Sequence, residues 1–407
     1  MPSIDAAPVT GEVRGGRALS PEARLLLLSA GGPENDHGLR ELLGAPVDWE
    51  RLCALATRER AEPVLYERLR AVSAGRGALP AGAAPLERLA RVSQFRMMHL
   101  EQRLGESLAA LARERVDTML LKGAALALTV YGSFVRRPMS DLDLLLRGGG
   151  AVASRARATL LASGWVTTDL EQLQEFFEGH QHLPALEDAR GTGVQLELHT
   201  ALFFEGHPFR LSPEDIWSRA TPIIAFGQRT NVPSVHDQVL HLCLHFAWSH
   251  MMATGSWRAF RDLHTLVGTG AIVWHDFIAL AQSSRGGSCC YWTFRLAREL
   301  SGVRVPDAIM DALKPPVPEF ALQRLASHFA ANLFPTEAVC PSVAMAYTMW
   351  RVGVRPRWSG HGKVRPWDRT DDLLFDETTR MSGARRLAEH MRNARGWARY
   401  ARAVMKG

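Results

Sequence analysis

The spacing of apolar residues divides the chain into a helical beginning, a middle of mixed periodicity and a helical end. Residues 1–20 are rich in glycine, proline and small polar residues, and we expect them to be disordered. Over residues 21–115 apolar positions recur at helical spacing, as in the stripe formed by Leu104, Leu108 and Leu111. This pattern predicts an N-terminal helical region.

Short apolar or alternating stretches interrupt the helical spacing between residues 116 and 212. Four of them are predicted strands, Thr118–Leu121, Asp141–Leu146, Trp165–Thr168 and Val194–His199. Stretches of helical character lie among them. Interleaved strands and helices are typical of an α/β unit, so residues 116–212 are predicted to form a core with a small mixed sheet.

Every periodic stretch after Pro213 is typical of helices, which predicts a C-terminal helical region over residues 213–313 and a partly helical accessory tail over 314–407. The chain has a net charge of +6, but Arg351–Gly407 alone holds 14 Lys and Arg against 6 Asp and Glu. The basic character therefore belongs to the tail. This tail either holds an anionic partner or is simply a solvated helical face.

The composition, 46% hydrophobic and 22% charged, is that of an ordinary globular protein. No stretch approaches the roughly 18 consecutive apolar residues of a membrane span, and the N-terminus has no apolar segment typical of a secretory signal. The five cysteines form no Cys-x-x-Cys pair. Such cysteine usage suits a reducing compartment, so we expect a cytoplasmic protein.

Two aspartates share one predicted strand. Alternate side chains of a strand point to opposite faces, so Asp141 and Asp143 face one side and Leu142 the other. Two buried carboxylates repel each other, and burial penalises the charged form of each; a divalent cation relieves both penalties. Hard cations such as Mg²⁺ prefer oxygen ligands. The pair predicts a metal site, although an acidic-x-acidic triplet is a weak signal by itself.

A third carboxylate lies on the last predicted strand, where Gln195, Glu197 and His199 alternate with apolar residues and share one face. Beside the two aspartates, Glu197 would complete a cluster able to hold two Mg²⁺ ions about 3.5–4 Å apart, with Mn²⁺ as an alternative ion. The same alternation is also typical of an ordinary strand with one face in solvent.

Lys122 and Gly123 stand where a predicted strand turns into a helix. A glycine permits close approach to the backbone, and the free N–H groups at a helix N-terminus can bind phosphate. Arg136 and Arg137 precede the two aspartates. They either clamp a triphosphate through bidentate hydrogen bonds or are surface arginines.

The order of these motifs resembles a known family. The stretch LKGAALALTVYGSFVRRPMSDLDLLL is similar to the signature of the uncharacterised nucleotidyltransferase family in the DNA polymerase beta-like superfamily. That signature is Leu-Lys-Gly, a short helix, a tyrosine, then Arg-Pro before an Asp-x-Asp strand. The matching residues are Leu121, Lys122, Gly123, Tyr131, Arg137, Pro138, Asp141 and Asp143. Further similar stretches are VDWERLCALATRERAEPVLYERL, HQHLPAL, VQLELHTAL, LHLCLHFAWSH and FRDLHTLVG, so the resemblance covers about residues 21–313.

The resemblance implies a fold and an activity. The fold is a nucleotidyltransferase-like α/β core within mostly α-helical flanks. The activity is transfer of a nucleoside monophosphate from an NTP to an acceptor hydroxyl, with release of pyrophosphate, by a two-metal carboxylate mechanism. The acceptor is not identified and is a peptide, a small metabolite or RNA.

The resemblance also implies roles for single residues. The catalytic, metal-binding carboxylates would be Asp141, Asp143 and Glu197, and the nucleotide-binding residues Lys122, Gly123 and Arg137. In one departure, the wider superfamily has Gly-Ser at the turn, whereas this chain has Gly123-Ala124. Lys122 would have to compensate for the missing hydroxyl.

The histidines allow two interpretations. His182 and His199 lie in stretches that resemble the family, and we expect them to neighbour the nucleotide or the acceptor. His241 and His245 have the i, i+4 spacing of a zinc site, but they lack the accompanying glutamate and are more typical of hydrogen-bonded structural residues. We expect Asp262 to pair with a basic residue, without a catalytic role.

Two further hypotheses concern the whole protein. One is a nucleotidyltransferase-like binding module that has lost its chemistry and holds RNA or another polyanion through the basic tail. The other is a zinc hydrolase built on the histidines. The three carboxylates favour the transferase, whereas Ala124 and the tail favour the binding module.

Overall fold

Fifteen α-helices and one seven-stranded sheet make up the described part of the chain in the computed structural model. The described residues are 11, 13, 19–74, 77–168, 180–204, 207–335 and 343–354. Most of the N-terminus predicted to be disordered, and all of the tail beyond residue 354, lie outside them. The predicted α/β core with mostly helical flanks is confirmed.

Five helices precede the sheet, as the apolar spacing predicts: α1 (Pro21–Ser29), α2 (Asp36–Leu43), α3 (Trp49–Glu59), α4 (Glu62–Ser73) and α5 (Ala84–Arg113). α3 begins where it does because the Asp48 side chain accepts the backbone N–H of Arg51 at 3.0 Å. α1 is buried on most sides, and Leu25, Leu26, Leu27 and Leu28 are all 0% exposed. A helix of this kind is stable only at the centre of a core.

The sheet contains both parallel and antiparallel strand pairs, in the order β3-β4-β5-β2-β1-β7-β6. Its strands are β1 (Thr118–Leu120), β2 (Asp141–Leu146), β3 (Trp165–Thr167), β4 (Leu186–Asp188), β5 (Gln195–His199), β6 (Thr221–Ala225) and β7 (Gln228–Val232). β2 pairs in parallel with β5, and β1 in parallel with β7. Within this region the chain also forms α6 (Lys122–Leu126), a π-helical turn (Ala127–Tyr131) and α7 (Gly150–Ala162).

The expectation that everything after Pro213 is helical is wrong for β6 and β7, which form a hairpin at the edge of the sheet. Their two-residue turn is Phe226-Gly227, with φ values of +51° and +75°. Two left-handed residues give a turn whose twist matches that of the flanking strands. The glycine was the available signal, but a phenylalanine before it is an unusual turn residue.

The predicted boundaries between domains stay a prediction.

The remaining helices are α8 (Pro213–Ser218), α9 (Val235–Leu244), α10 (Ser256–Gly268), α11 (Trp274–Ser283), α12 (Gly287–Ser301), α13 (Asp307–Leu313), α14 (Glu319–Leu333) and α15 (Val343–Val354). α9 continues into a second π-helical turn, His245–Ser249. None of the described helices combines the length and apolar character needed to cross a lipid bilayer.

Two apolar cores organise the molecule. One lies between the sheet and α5 with α7, and it receives Leu142 and Leu144 from β2. The other unites helices from both ends of the chain around α1, and it receives Leu145 from the opposite face of β2. Ser301 at the end of α12 donates its hydroxyl to the Leu27 carbonyl at 2.7 Å. The carboxylate face of the sheet is therefore turned towards the helical core.

Part of the predicted accessory tail belongs to this helical core. Phe329 of α14 and Trp350 of α15 are 1% and 2% exposed, respectively. The indole of Trp350 donates to the Ala247 carbonyl at 2.7 Å, and that of Trp292 donates to the Gly353 carbonyl at 2.8 Å. The rest of the predicted tail, beyond Val354, lies outside the described residues.

Candidate active site

Two neighbouring strands bring the three predicted carboxylates to one face of the sheet. In the parallel register of β2 and β5, Asp143 lies directly opposite Glu197. Asp141 precedes Asp143 by two residues and faces the same way. All three line one cavity. The predicted alternation of β5 is confirmed, since Leu196 and Leu198 are buried on the other face.

A lysine at the start of α6 neutralises Asp143. The Lys122 ammonium donates to Asp143 Oδ1 at 2.6 Å. The backbone of Lys122 has a φ of +45°, a left-handed conformation that costs a residue with a side chain of the order of 1–3 kcal/mol. Such a conformation persists where the surroundings hold it, and the buried ion pair with Asp143 is one of these restraints.

His199 connects two of the carboxylates. Its Nε2 lies 2.9 Å from Asp143 Oδ1 and 3.2 Å from Glu197 Oε2. The imidazole is 2% exposed, and burial alone would lower its pKa. The hydrogen bonds to Asp143 and Glu197 outweigh burial and raise the pKa of His199. The site thus carries a second positive charge beside Lys122 when His199 is protonated.

The two aspartates of β2 have opposite electrostatic environments. Burial raises the pKa of Asp141, and repulsion from Asp143 raises it further. Burial also opposes the charge of Asp143, but Lys122 and the hydrogen bond from His199 hold the pKa of Asp143 well below its usual value. Asp143 is therefore firmly ionised at neutral pH, whereas the charge of Asp141 is held at a cost in free energy.

The residues present fit a divalent cation. Asp143, Glu197 and His199 each place one possible ligand atom within 4.8 Å of the others, the one such group of three among the described residues. Two of these ligands are carboxylates, which Mg²⁺ prefers, and Asp141 lines the same cavity. A cation at this position has to compete with Lys122 and His199 for the carboxylate oxygens.

The cavity lies between the carboxylate face of the sheet and the helices α9 and α10. Its volume is about 360 Å³, within the range of about 300–1,000 Å³ that is usual for sites that bind small molecules. One wall carries Lys122 and the three carboxylates. The facing wall is formed by residues of α9, its π-helical turn and the first turns of α10, including His241, His245, His250, Arg258 and Asp262.

The sequence comparison decides the family. A family model described as an uncharacterised nucleotidyltransferase matches residues 45–302. This chain belongs to that family. The matched region includes all seven strands and every residue that lines the cavity. Searches among curated proteins and solved structures give no significant match. Membership supports nucleotidyl transfer as the general type of reaction, and an NTP as the donor.

For a nucleotidyltransferase, the surroundings of Arg137 are unexpected. The guanidinium is buried and grips Asp262, with Nε–Oδ1 at 2.6 Å and Nη2–Oδ2 at 2.7 Å, while Nη1 donates to the Pro138 carbonyl at 2.7 Å. The hydroxyl of Tyr131 donates to Asp262 Oδ1 at 2.9 Å. The pairing expected for Asp262 is confirmed, and Arg137 is not a surface arginine. Each nitrogen of Arg137 is engaged within the protein.

Gly123 also has a packing role. It lines the cavity, but a Cβ added there would come within 3.1 Å of both Cβ and Sδ of Met139. A contact of this kind requires Met139 to shift. Glycine at this turn therefore avoids a tight contact with Met139, whether or not a nucleotide is bound. Contact between Gly123 and phosphate stays a prediction.

The two histidines predicted beside the nucleotide or acceptor lie next to the carboxylates. The rings of His182 and His199 have centroids 5.2 Å apart, and His182 Nε2 lies 4.0 Å from Glu197 Oε2. His241 and His245 form part of the cavity wall. Burial lowers the pKa of both, that of His241 to about 3, so they are neutral at pH 7.

Sequence reasoning missed Arg258, which lines the cavity from the first turn of α10. It lies in the stretch SWRAFRDLH, where Arg258 and Asp262 are four residues apart and share a helix face. Which face of this helix meets the sheet depends on packing between distant segments, so the spacing alone did not distinguish Arg258 from a surface arginine.

Proposed function

We propose that this protein transfers a nucleoside monophosphate from an NTP to an acceptor hydroxyl. The observation that carries the proposal is the parallel register of β2 and β5, which sets Asp143 opposite Glu197, with Lys122 bonded to the first carboxylate. In the reaction the acceptor oxygen bonds to the α-phosphorus, the bond between the α-phosphorus and the bridging oxygen breaks, and pyrophosphate leaves.

Asp141, Asp143 and Glu197 are the residues that would hold Mg²⁺, or Mn²⁺ in its place. When bound, two such ions neutralise charge on the reacting phosphoryl group and make the acceptor hydroxyl more acidic. Asp141 and Asp143 would hold both ions, and Glu197 would hold the ion that activates the acceptor.

Glu197 is the proposed proton acceptor. Its carboxylate is 21% exposed and lines the cavity, so an acceptor hydroxyl can reach it. Burial alone would raise its pKa, but the hydrogen bond from His199 lowers the pKa of Glu197 below the ordinary value. An ionised carboxylate within hydrogen-bond reach of the hydroxyl is the geometry that general base catalysis needs. His199 orients this carboxylate, and His182 lies beside it.

Lys122 and Gly123 are proposed to meet the triphosphate at the N-terminus of α6. In the free protein Lys122 neutralises Asp143. With a divalent cation held by Asp143, the Lys122 ammonium would be free to face the donor phosphates. It would then take the place of the serine hydroxyl that Ala124 lacks. Arg137, which grips Asp262, is proposed to support the site by holding the loop before Asp141 against α10.

The test is transfer of label from each α-labelled NTP, with Mg²⁺, to pools of peptides, metabolites and RNA, with products identified by mass spectrometry. Glu197→Gln should reduce transfer to a proven acceptor by roughly 10²-fold or more, while NTP binding is retained. Glu187→Gln is the matched control, because Glu187 is an exposed acid on the neighbouring strand β4. Undiminished transfer by Glu197→Gln would overturn the assignment.

One observation favours a second function, a binding module without chemistry. Lys122 and His199 already satisfy Asp143 within the protein, and Ala124 supplies no hydroxyl to a phosphate. In this alternative the basic tail beyond Val354 holds RNA or another polyanion. Binding would then weaken steeply with rising salt and would survive Asp143→Asn. Transfer of label in the assay above excludes this alternative.

A further inference from the structure

The wall of the cavity that faces the carboxylates carries an arginine that has no partner among the described residues. Arg258 lines the cavity from the first turn of α10. Within the part of the chain that the structure describes, its guanidinium forms neither a hydrogen bond nor an ion pair. Asp262, the acid one turn further along the same face, is already bonded to Arg137 and Tyr131. Arg258 is thus a donor-rich group at the cavity wall.

The charges around Arg258 neutralise its positive charge only in part. Burial lowers its pKa, and repulsion from Arg137 lowers the pKa further, while Glu59 and Asp141 attract the guanidinium only from beyond ion-pair distance. An arginine remains protonated in proteins, so these effects appear as a cost in free energy to the folded state rather than as loss of the proton. An anion in the cavity would remove that cost.

Glu59 fixes the position of Arg258 from another part of the chain. Its carboxylate is 0% exposed and accepts the backbone N–H groups of Gly255 at 3.2 Å and Trp257 at 3.0 Å. These N–H groups lie at the start of α10, where the helix itself supplies no acceptor and a negative charge is favourable. Since Glu59 uses them, the first turn of α10 is held in place, and the side chain of Arg258 is left as the group available to a ligand.

We infer that Arg258 is the arginine that binds the polyphosphate of the nucleotide, the role that the sequence assigned to Arg137. The inference rests on the proposed function for the identity of the ligand. A planar guanidinium donates two parallel hydrogen bonds to phosphate oxygens. No described residue bonds to the three nitrogens of Arg258, whereas those of Arg137 hold Asp262 and Pro138.

The experiment measures binding of inorganic tripolyphosphate and of ATP, GTP, CTP and UTP by calorimetry, with and without Mg²⁺, to wild type, Arg258→Gln and Arg258→Lys. Arg258→Gln should weaken tripolyphosphate and NTP binding by about 10- to 100-fold, as expected for loss of hydrogen bonds to a charged group. Arg258→Lys should recover part of the loss. Arg136→Gln is the matched control, because Arg136 is an exposed arginine of the same charge outside the cavity.

Thermal unfolding of the free protein gives a second readout that a merely structural arginine would not reproduce. Removal of an uncompensated charge should leave the midpoint of Arg258→Gln equal to that of wild type or higher. Tripolyphosphate should then raise the midpoint of wild type more than that of the variant. A lower midpoint together with unchanged tripolyphosphate affinity would overturn the inference.

The outcomes separate this inference from the proposed function. Tripolyphosphate binding that depends on Arg258, without any transfer of label, supports the inference and counts against the transferase. Transfer of label with equal NTP affinity in wild type and Arg258→Gln supports the transferase and overturns the inference. A wild type that binds neither NTP nor tripolyphosphate overturns both.

Discussion

The two aspartates of β2 should respond in opposite ways to the same substitution. Repulsion among carboxylates alone predicts that Asp143→Asn is harmless to folding. The contacts of Asp143 predict the reverse, since its 3% exposed carboxylate balances Lys122 at 2.6 Å and His199 at 2.9 Å. Removing one partner of a buried ion pair leaves an uncompensated charge and costs about 3–5 kcal/mol. We expect a loss of this size for Asp143→Asn.

Asp141→Asn is the matched control on the same strand and face. The raised pKa of Asp141 means that its charged form is disfavoured in the folded state, so this carboxylate lowers stability at pH 7. The asparagine should leave the free energy of unfolding unchanged or raise it. Under the proposed function both variants lose turnover, so their stabilities separate while their activities do not.

The assay is urea unfolding at pH 7, followed by far-UV circular dichroism, for both single variants and for Lys122→Met with Asp143→Asn. The double variant removes both charges of the pair and should recover part of the loss.

The sign of the pH dependence of stability follows from the lowered pKa of Asp143. Its stabilisation is present above the unfolded value of about 3.9 and disappears as the pH falls through the folded value. Equal losses for Asp141→Asn and Asp143→Asn would refute this account.

Three further predictions concern other parts of the molecule. Arg137→Lys should lower the free energy of unfolding by about 2 kcal/mol, because it removes charge-assisted hydrogen bonds to Asp262; Arg136→Lys should be neutral in the same urea titration. Burial lowers the pKa of His328 to about 4. Between this pH and about 6.5, the ordinary pKa of histidine, the unfolded state binds more protons than the folded state. Stability should fall as the pH falls through that window, and less so in His328→Gln, as measured by thermal unfolding at pH 4.5 and 7. Truncation after Val354 should preserve the fold and NTP binding, whereas truncation at Pro315 should unfold the protein, because it removes the buried Phe329 and Trp350; circular dichroism and calorimetry distinguish the two results.

Local patterns in the sequence were sufficient to predict which side chains share a face within each strand. Alternation was confirmed for Asp141 and Asp143 on β2 and for Glu197 on β5. Side-chain periodicity depends only on neighbouring residues, which is why such a prediction succeeds. The resemblance to the family supplied the order of the motifs, and the comparison confirmed it over residues 45–302.

Contacts between distant segments could not be predicted in the same way. Arg137 and Asp262 are 125 residues apart, and Glu59 and Trp257 are 198 apart. No local pattern specifies which helix faces the sheet. The partner of Arg137 and the position of Arg258 at the cavity wall are therefore properties of the folded chain alone. The hairpin of β6 and β7 was missed for another reason, since the left-handed conformation of Phe226 is rare for an aromatic residue.

The central place of α1 has a consequence for the order in which the protein can fold during synthesis. α1 leaves the ribosome before α12, because Ser301, which bonds to the Leu27 carbonyl, follows 274 residues later. At about 5–20 residues per second, roughly 15–55 s separate the two. During that interval Leu25, Leu26, Leu27 and Leu28 lack much of the core that covers them in the finished protein. The nascent chain therefore exposes an apolar segment for long enough that a chaperone can bind it.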